Sequence, residues 1–196
     1  ATELNSDIDS AIDFVINDHR NAMEALSSPS NRQGMADAIT AILQAKRIGV
    51  FGIGASGILA TYAARLFSRN GYPSYALNAT GIALAELLLA MEEGDALIMM
   101  AHGRAHREAM TTIGEAQRLG IPIVMLLGQE DTVLRKHACA SIIIPRAKAE
   151  HVALHGPTLV CLESLMLALA TAARETTLQS LDRLLALRSA IRPSKR

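Results

Sequence analysis

Five short apolar runs, Ile48–Ile53, Ser74–Leu77, Ala96–Met100, Ile123–Leu127 and Ser141–Ile144, alternate along the middle of the chain with segments of helical spacing. The intervening segments are Ser56–Ser68, Thr80–Met91, Ala105–Leu119 and a shorter Asp131–His137. Turn chemistry separates them: Gly71-Tyr72-Pro73, Glu92-Glu93-Gly94-Asp95, and Gly120 with Pro122. Strands too apolar for one wet face, spaced by helices of ~10–15 residues, imply crossover units and a parallel sheet covered on both faces. Such sheets take their ligands beyond the carboxyl ends of the strands, where the strand order reverses.

Helices flank this alternation. Ile8, Ala11, Ile12, Val15 and Ile16, then Met23 and Leu26, set a helix over about Leu4–Leu26. Ser27-Ser28-Pro29-Ser30 interrupts it, and a second helix is expected from about Arg32 to Ala45, with Met35, Ile39, Ile42 and Leu43 inward. The tail from Pro157 to Ile191 reads as helical, and its apolar run Leu159–Ala172 holds Glu163 and Ser164. Residues 1–45 are thus an expected helical segment packing on, or linking to, a domain over 46–196.

Charge and composition exclude several classes. The 19 basic and 19 acidic residues cancel, which removes the cationic surplus of a nucleic-acid surface. Aromatic residues make up 3% and Trp is absent, so base-stacking platforms are not expected. With 50% hydrophobic residues the chain is globular, yet no uncharged run is long enough to span a membrane and none reads as a signal peptide. Cys139 and Cys161 sit in apolar contexts and read as buried thiols of a cytoplasmic protein. The start at Ala1, without an initiator Met, fits a processed product or an excised piece.

Gly52-Ile53-Gly54-Ala55-Ser56-Gly57 leaves the first sheet strand and opens a helix. Glycines permit the tight turn, the free N–H groups of the helix start attract an anion, and Ser56 is placed to cap the helix or to donate to a phosphate. The spacing also fits the dinucleotide fingerprint, but the next strand ends in Asn78 rather than in an acid that would hold a ribose, so no nicotinamide site and no cofactor are expected. A turn serving packing alone is the other reading.

Lys46-Arg47-Ile48-Gly49-Val50-Phe51 running into that loop resembles the opening of SIS (sugar isomerase) domains, especially those of RpiR-type transcription regulators. The resemblance continues through Arg69-Asn70-Gly71 and Glu93-Gly94-Asp95 and covers about Ala36 to Ala172. It implies an α/β three-layer sandwich with a five-stranded parallel sheet of flavodoxin-like type, plus the terminal helices. It also implies a homo-oligomer, dimer or tetramer, binding a phosphorylated or related anionic sugar through Gly54, Ala55 and Ser56.

Members of that family carry Ser-x-Ser-Gly-x-Thr after the next-but-one strand, where hydroxyls and amides hold phosphate. Here the segment reads Ala101-His102-Gly103-Arg104-Ala105-His106, without a hydroxyl. His102, Gly103, Arg104 and His106 are the candidate ligand residues of this loop. Basic side chains at a helix start oppose its dipole and call for an anion, solvent or the carboxylate of Glu108. A solvated loop is the alternative.

The third stretch, Arg146 to Thr158, borders the ligand in SIS domains. Enediol chemistry needs a base and a ring-opening acid, for which Glu150, Glu163, His151 and His155 are of the right type. Glu163 and His155 are the candidate catalytic pair should the chain be an isomerase. Glu163 interrupts an apolar helix, where burial would raise its pKa, and it reads equally as an interface ion-pair partner. His155 reads equally as a turn-stabilising residue. His19 and His137 look like isolated surface residues. The pairs His102/His106 and His151/His155 have the spacing of neighbours on a helix, but no third ligand is identified and no metal is expected.

Three functions are compatible with these residues. The first is the effector-sensing module of an RpiR-type regulator, without nucleic-acid contact of its own in these residues. The second is a free-standing aldose–ketose sugar-phosphate isomerase. The third is an oligomerisation module without ligand, joined through apolar helices that include Leu178, Leu181, Leu184, Leu185 and Leu187.

Overall fold

A computed structural model of the chain describes residues 7–102, 105–129, 133–145 and 154–191. Helices α1 (Ile8–Leu26) and α2 (Pro29–Leu43) lead into β1 (Arg47–Phe51), α3 (Ala55–Arg69), β2 (Ser74–Leu77), α4 (Gly81–Leu88) and β3 (Asp95–Ala101). There follow α5 (Arg107–Arg118), β4 (Ile123–Leu127), a single 3-10 turn (Arg135–His137), β5 (Ala140–Ile143), α6 (Gly156–Ala172) and α7 (Arg174–Ile191). The five strands form one sheet in the order β2-β1-β3-β4-β5, every pair parallel. This is the doubly wound flavodoxin-like order, and its direction reverses between β1 and β3.

The side-chain period of two divides each strand between two cores. Ile48, Val50, Ile98, Val124, Leu126 and Ile142 face α2, α3 and α6, which contribute Ile42, Phe67 and Leu165. Phe51, Leu77, Leu97, Met99, Met125 and Leu127 face α4 and α5, which contribute Leu84 and Ile113. The result is a three-layer α/β sandwich, and β3, third in the sheet, is buried along its whole length.

Local chemistry sets the element ends. Asp7 caps α1 by accepting from the Ser10 N–H at 2.9 Å. Ser28 caps α2, which starts at Pro29 rather than at Arg32, because a proline at the first helical position loses no hydrogen bond and arrives with helical φ. α2 then lies so close to β5 that a Cβ on Gly34 would overlap the Ser141 carbonyl. The helical tail is two helices bent by 105°, the break falling at Ala173 (φ −124, ψ 58). Of the expected Asp131–His137 helix, residues 133–137 are described, and they form a turn followed by the 3-10 turn rather than an α-helix.

At the amino-terminal edge of the sheet a polar clamp compensates the burial of Asp95. Arg47 donates twice to its carboxylate, at 2.9 and 2.8 Å, and once to Ala90 O at 2.7 Å. Tyr75 lies across Gly49 and donates its hydroxyl to Asp95 at 2.7 Å. The Glu92 N–H adds a fourth donor at 3.1 Å.

Cys161 is buried, and burial pushes its thiol up to about 12. Cys139, expected to be buried, is an exposed residue whose Sγ donates to Ile123 O at 3.3 Å. Among the described residues no single helix is long and apolar enough to cross a membrane.

Candidate functional site

The carboxyl ends of β1 and β3 lie side by side, with Phe51 paired to Met99, and the loops that follow them meet at the reversal of strand order. After β1 the chain turns through two glycines with different tasks. A Cβ on Gly52 would overlap the Ser56 carbonyl and come within 2.8 Å of Met100 Cε, so only glycine lets α3 start against the sheet. Gly54 occupies the N-cap position with φ 62 and ψ −129, on the open side where a Cβ would touch nothing within 4 Å. Its glycine is required by conformation rather than by space.

The expectation that Ser56 caps α3 is corrected. Ser56 is the second residue of the helix, and no side chain caps α3. Its hydroxyl is not committed to the helix start, and the N–H groups of Ala55 and Ser56 lack intrahelical acceptors, while that of Gly57 donates to the Gly54 carbonyl at 2.9 Å. That is the geometry of an anion cradle.

His102 follows directly on β3. Its Nε2 stands 3.2 Å from the hydroxyl of Thr158, a buried residue in the first turn of α6. His106 caps α5, its Nδ1 accepting from the Ala109 N–H at 3.3 Å and lying 3.2 Å from Glu108 Oε2. One nitrogen cannot do both: the cap needs its lone pair, the carboxylate needs its proton. The Glu108 backbone N–H and then His106 hold the Glu108 carboxyl below its ordinary value. The His106 ring stacks on Phe51 at 6.3 Å between centroids, which anchors the second loop to the end of β1. His102 and His106 therefore stand on either side of the loop rather than on one helix. Gly103 and Arg104 lie outside the described residues, as do Glu150 and His151.

His155 occupies the position before α6. Glu163 is exposed, not buried, and lies about 10 Å along the axis of α6 from Gly156. Tyr62 of α3 donates to Glu163 Oε1 at 2.7 Å, and that hydrogen bond foremost raises the Tyr62 phenol. Among the described residues no group of three or more His, Cys, Asp or Glu side chains is placed to hold a metal ion.

Two residues near this edge escaped the sequence reading. Thr158 closes the third stretch and carries no expected role there. His19, read as an isolated surface residue, packs against Gly156 at the start of α6. Its signal was present: His19, Ala22, Met23 and Leu26 recur at the spacing of one helical face, of which Ala22 and Leu26 are buried. His137 also has a neighbour, Gln117 Nε2 at 3.1 Å.

The comparisons with known proteins bear on the fold and the family. An uncharacterized HTH-type transcriptional regulator of Caldanaerobacter subterraneus subsp. tengcongensis is 24% identical over 143 residues, 73% of this chain and 50% of that protein. The chain thus spans about half the length of that curated relative. The sugar isomerase domain of the RpiR transcription factor from Sphaerobacter thermophilus superposes with a TM-score of 0.77 at 19% identity, over 89% of this chain and 97% of that one. The Vibrio vulnificus NanR protein complexed with ManNAc-6P superposes at 0.71 and 20% identity, over 95% of this chain and 73% of that one. At these identities the superpositions establish the fold. The family model of the SIS domain matches residues 41–174, and the chain belongs to that family.

Proposed function

We propose that this chain is the effector-sensing module of an RpiR-type transcription regulator and binds a phosphorylated sugar where β1 and β3 end. The observation that carries the reading is the start of α3. An uncapped helix, a glycine N-cap and an uncommitted Ser56 hydroxyl present donors at the reversal of strand order. Gly54, Ala55 and Ser56 hold the phosphate. His102, Arg104 and His106 supply the cationic and imidazole donors, and Gly103 its backbone N–H, in place of the hydroxyls of other members. No cofactor or metal takes part, and the protein works in the cytoplasm.

The module acts as a homo-oligomer. Ile8, Ile12 and Val15 continue the face of α1 whose later residues pack on the domain, yet they are 78%, 51% and 38% exposed. A heptad-like face that overhangs its own domain is complementary to a second copy of itself. Residues 1–45 then link the sensing domain to the rest of the assembly.

An isomerase is the second reading, favoured by His155 at the start of α6 with Glu163 as the acid or base. The exposure of Glu163 and its pairing with Tyr62 weigh against it.

A thermal-shift screen against sugar phosphates, sugar acids and free sugars, with ManNAc-6P in the panel, tests the proposal. A ligand at 100 times its dissociation constant adds about 2.7 kcal/mol of stability. Hits confined to phosphorylated sugars, recovered unchanged after incubation, support the sensor. Conversion of the sugar supports the isomerase, and no hit leaves an oligomerisation module.

A further inference from the structure

We propose that His19 is a positioning residue of this sugar-phosphate site, coupling α1 to the first turn of α6. The inference rests on the functional reading only in taking the start of α6 as the border of the site.

The contact leaves no slack. A Cβ on Gly156 would overlap the His19 imidazole at Nε2 and Cδ2, and would lie 3.5 Å from Cε1. The ring is fixed from its other side, where Nδ1 donates to the Val15 carbonyl one turn earlier, at 2.8 Å. Glycine at 156 allows this approach, so a shift of the α6 start toward α1 presses on the ring.

On its far side the same turn of α6 meets the second loop. Thr158, two residues after Gly156, has its hydroxyl 3.2 Å from His102 Nε2. The contacts therefore run without a break from the end of β3 through Thr158 and Gly156 to His19. Along α1 they continue to Val15, Ile12 and Ile8, the overhanging face. A ligand that draws His102 or the α6 start toward itself tilts α1, and the tilt reaches the surface offered to a second copy.

Hydrogen exchange of the α1 amides in the full chain tests the coupling without any ligand. Gly156→Ala speeds exchange in α1 about tenfold, corresponding to about 1.4 kcal/mol of local stability. In the His19→Ala background the same change at 156 adds nothing. Equal acceleration with and without His19, or no effect in α1, overturns the proposal. If Gly156→Ala does not fold, its folding in the His19→Ala background is the expected rescue, and failure of the double variant as well overturns the coupling. With ManNAc-6P, or another sugar phosphate that shifts the melting temperature, α1 exchange changes in the wild type and not in His19→Ala. A change of equal size in both overturns the coupling. Should no sugar phosphate bind, the sensor reading fails while the variants still decide the coupling.

Discussion

The side-chain amide of Asn31 exchanges both hydrogen bonds with the backbone of Ile143. Its Nδ2 donates to Ile143 O at 2.8 Å, and Ile143 N–H donates to its Oδ1 at 2.7 Å. A further bond runs to Ala25 O at 2.9 Å, and the residue is only 4% exposed. One carboxamide thus covers part of the free edge of β5 and pins the α1–α2 turn to it. Asn31→Ala is expected to cost about 3 kcal/mol, because backbone groups left inside lose their partners. Urea unfolding would show a lower midpoint with an unchanged slope. Asn31→Asp is expected to be at least as damaging, since it sets a carboxylate against two carbonyls.

The Asp95 clamp predicts the acid side of the stability curve. Burial alone would raise the Asp95 carboxyl, but donation from Arg47, Tyr75 and the Glu92 N–H outweighs it and holds the group below its ordinary value. A depressed carboxyl stabilises the fold above its unfolded value of about 3.9, and that stability is lost as pH falls through the lower folded value. Asp95→Asn should cost about 3 kcal/mol at pH 7 and flatten the loss of stability below about pH 4. Thermal melts from pH 7 to pH 2 check both.

The first loop separates conformation from chemistry. Gly54→Ala forces a side chain into φ 62, ψ −129 with no neighbour to collide with, at a cost of about 1–3 kcal/mol. Ser56→Ala leaves stability within about 0.5 kcal/mol, because the hydroxyl caps nothing. It should nevertheless weaken sugar-phosphate binding by about 1 kcal/mol or more. Arg104→Ala should weaken binding further and flatten its salt dependence. Unchanged affinity in all three, measured by titration calorimetry, would remove the anion site.

Glu163→Gln distinguishes sensor from isomerase. Both stability and ligand affinity should hold, whereas an isomerase would lose turnover. The substitution also replaces the charged acceptor of the Tyr62 hydroxyl by a neutral amide oxygen, weakening the hydrogen bond that foremost raises the Tyr62 phenol. Ultraviolet titration of the three tyrosines should then show one of them moving back toward about 10.

The overhanging face of α1 predicts the assembly. Ile12→Glu should lower the mass seen by light scattering without lowering the stability of the fold, since Ile12 is 51% exposed. An unchanged mass would place the interface elsewhere.

The fold was legible because five short runs bounded by turn residues alternate with segments of helical spacing, and all five strands form near the expected positions, the edge strands β2 and β5 only partly buried. The glycine loop was legible for the same reason, since its spacing reflects backbone geometry. Helix ends were less so. The break at Ala173 lies in a run with no Gly or Pro, so no breaker residue announces the bend. Contacts between distant elements left the faintest trace. Ser56 looks like a cap by residue type, and Tyr62 reaching Glu163 or His19 meeting Gly156 depends on how α1, α3 and α6 cross.

The strand order carries a consequence for ligand choice. Since the chain leaves β1 toward one edge and later recrosses it to lay down β3, the space beyond those two strands is bridged by neither connection. The vacancy belongs to the wiring of the sheet, while the residues that line it are a separate choice. The polar clamp of Arg47, Tyr75 and Asp95 sits at the opposite edge, so the lining can be rewritten without touching what holds the strands in register. New loops can therefore change what that space admits while the sheet that frames it stays as it is.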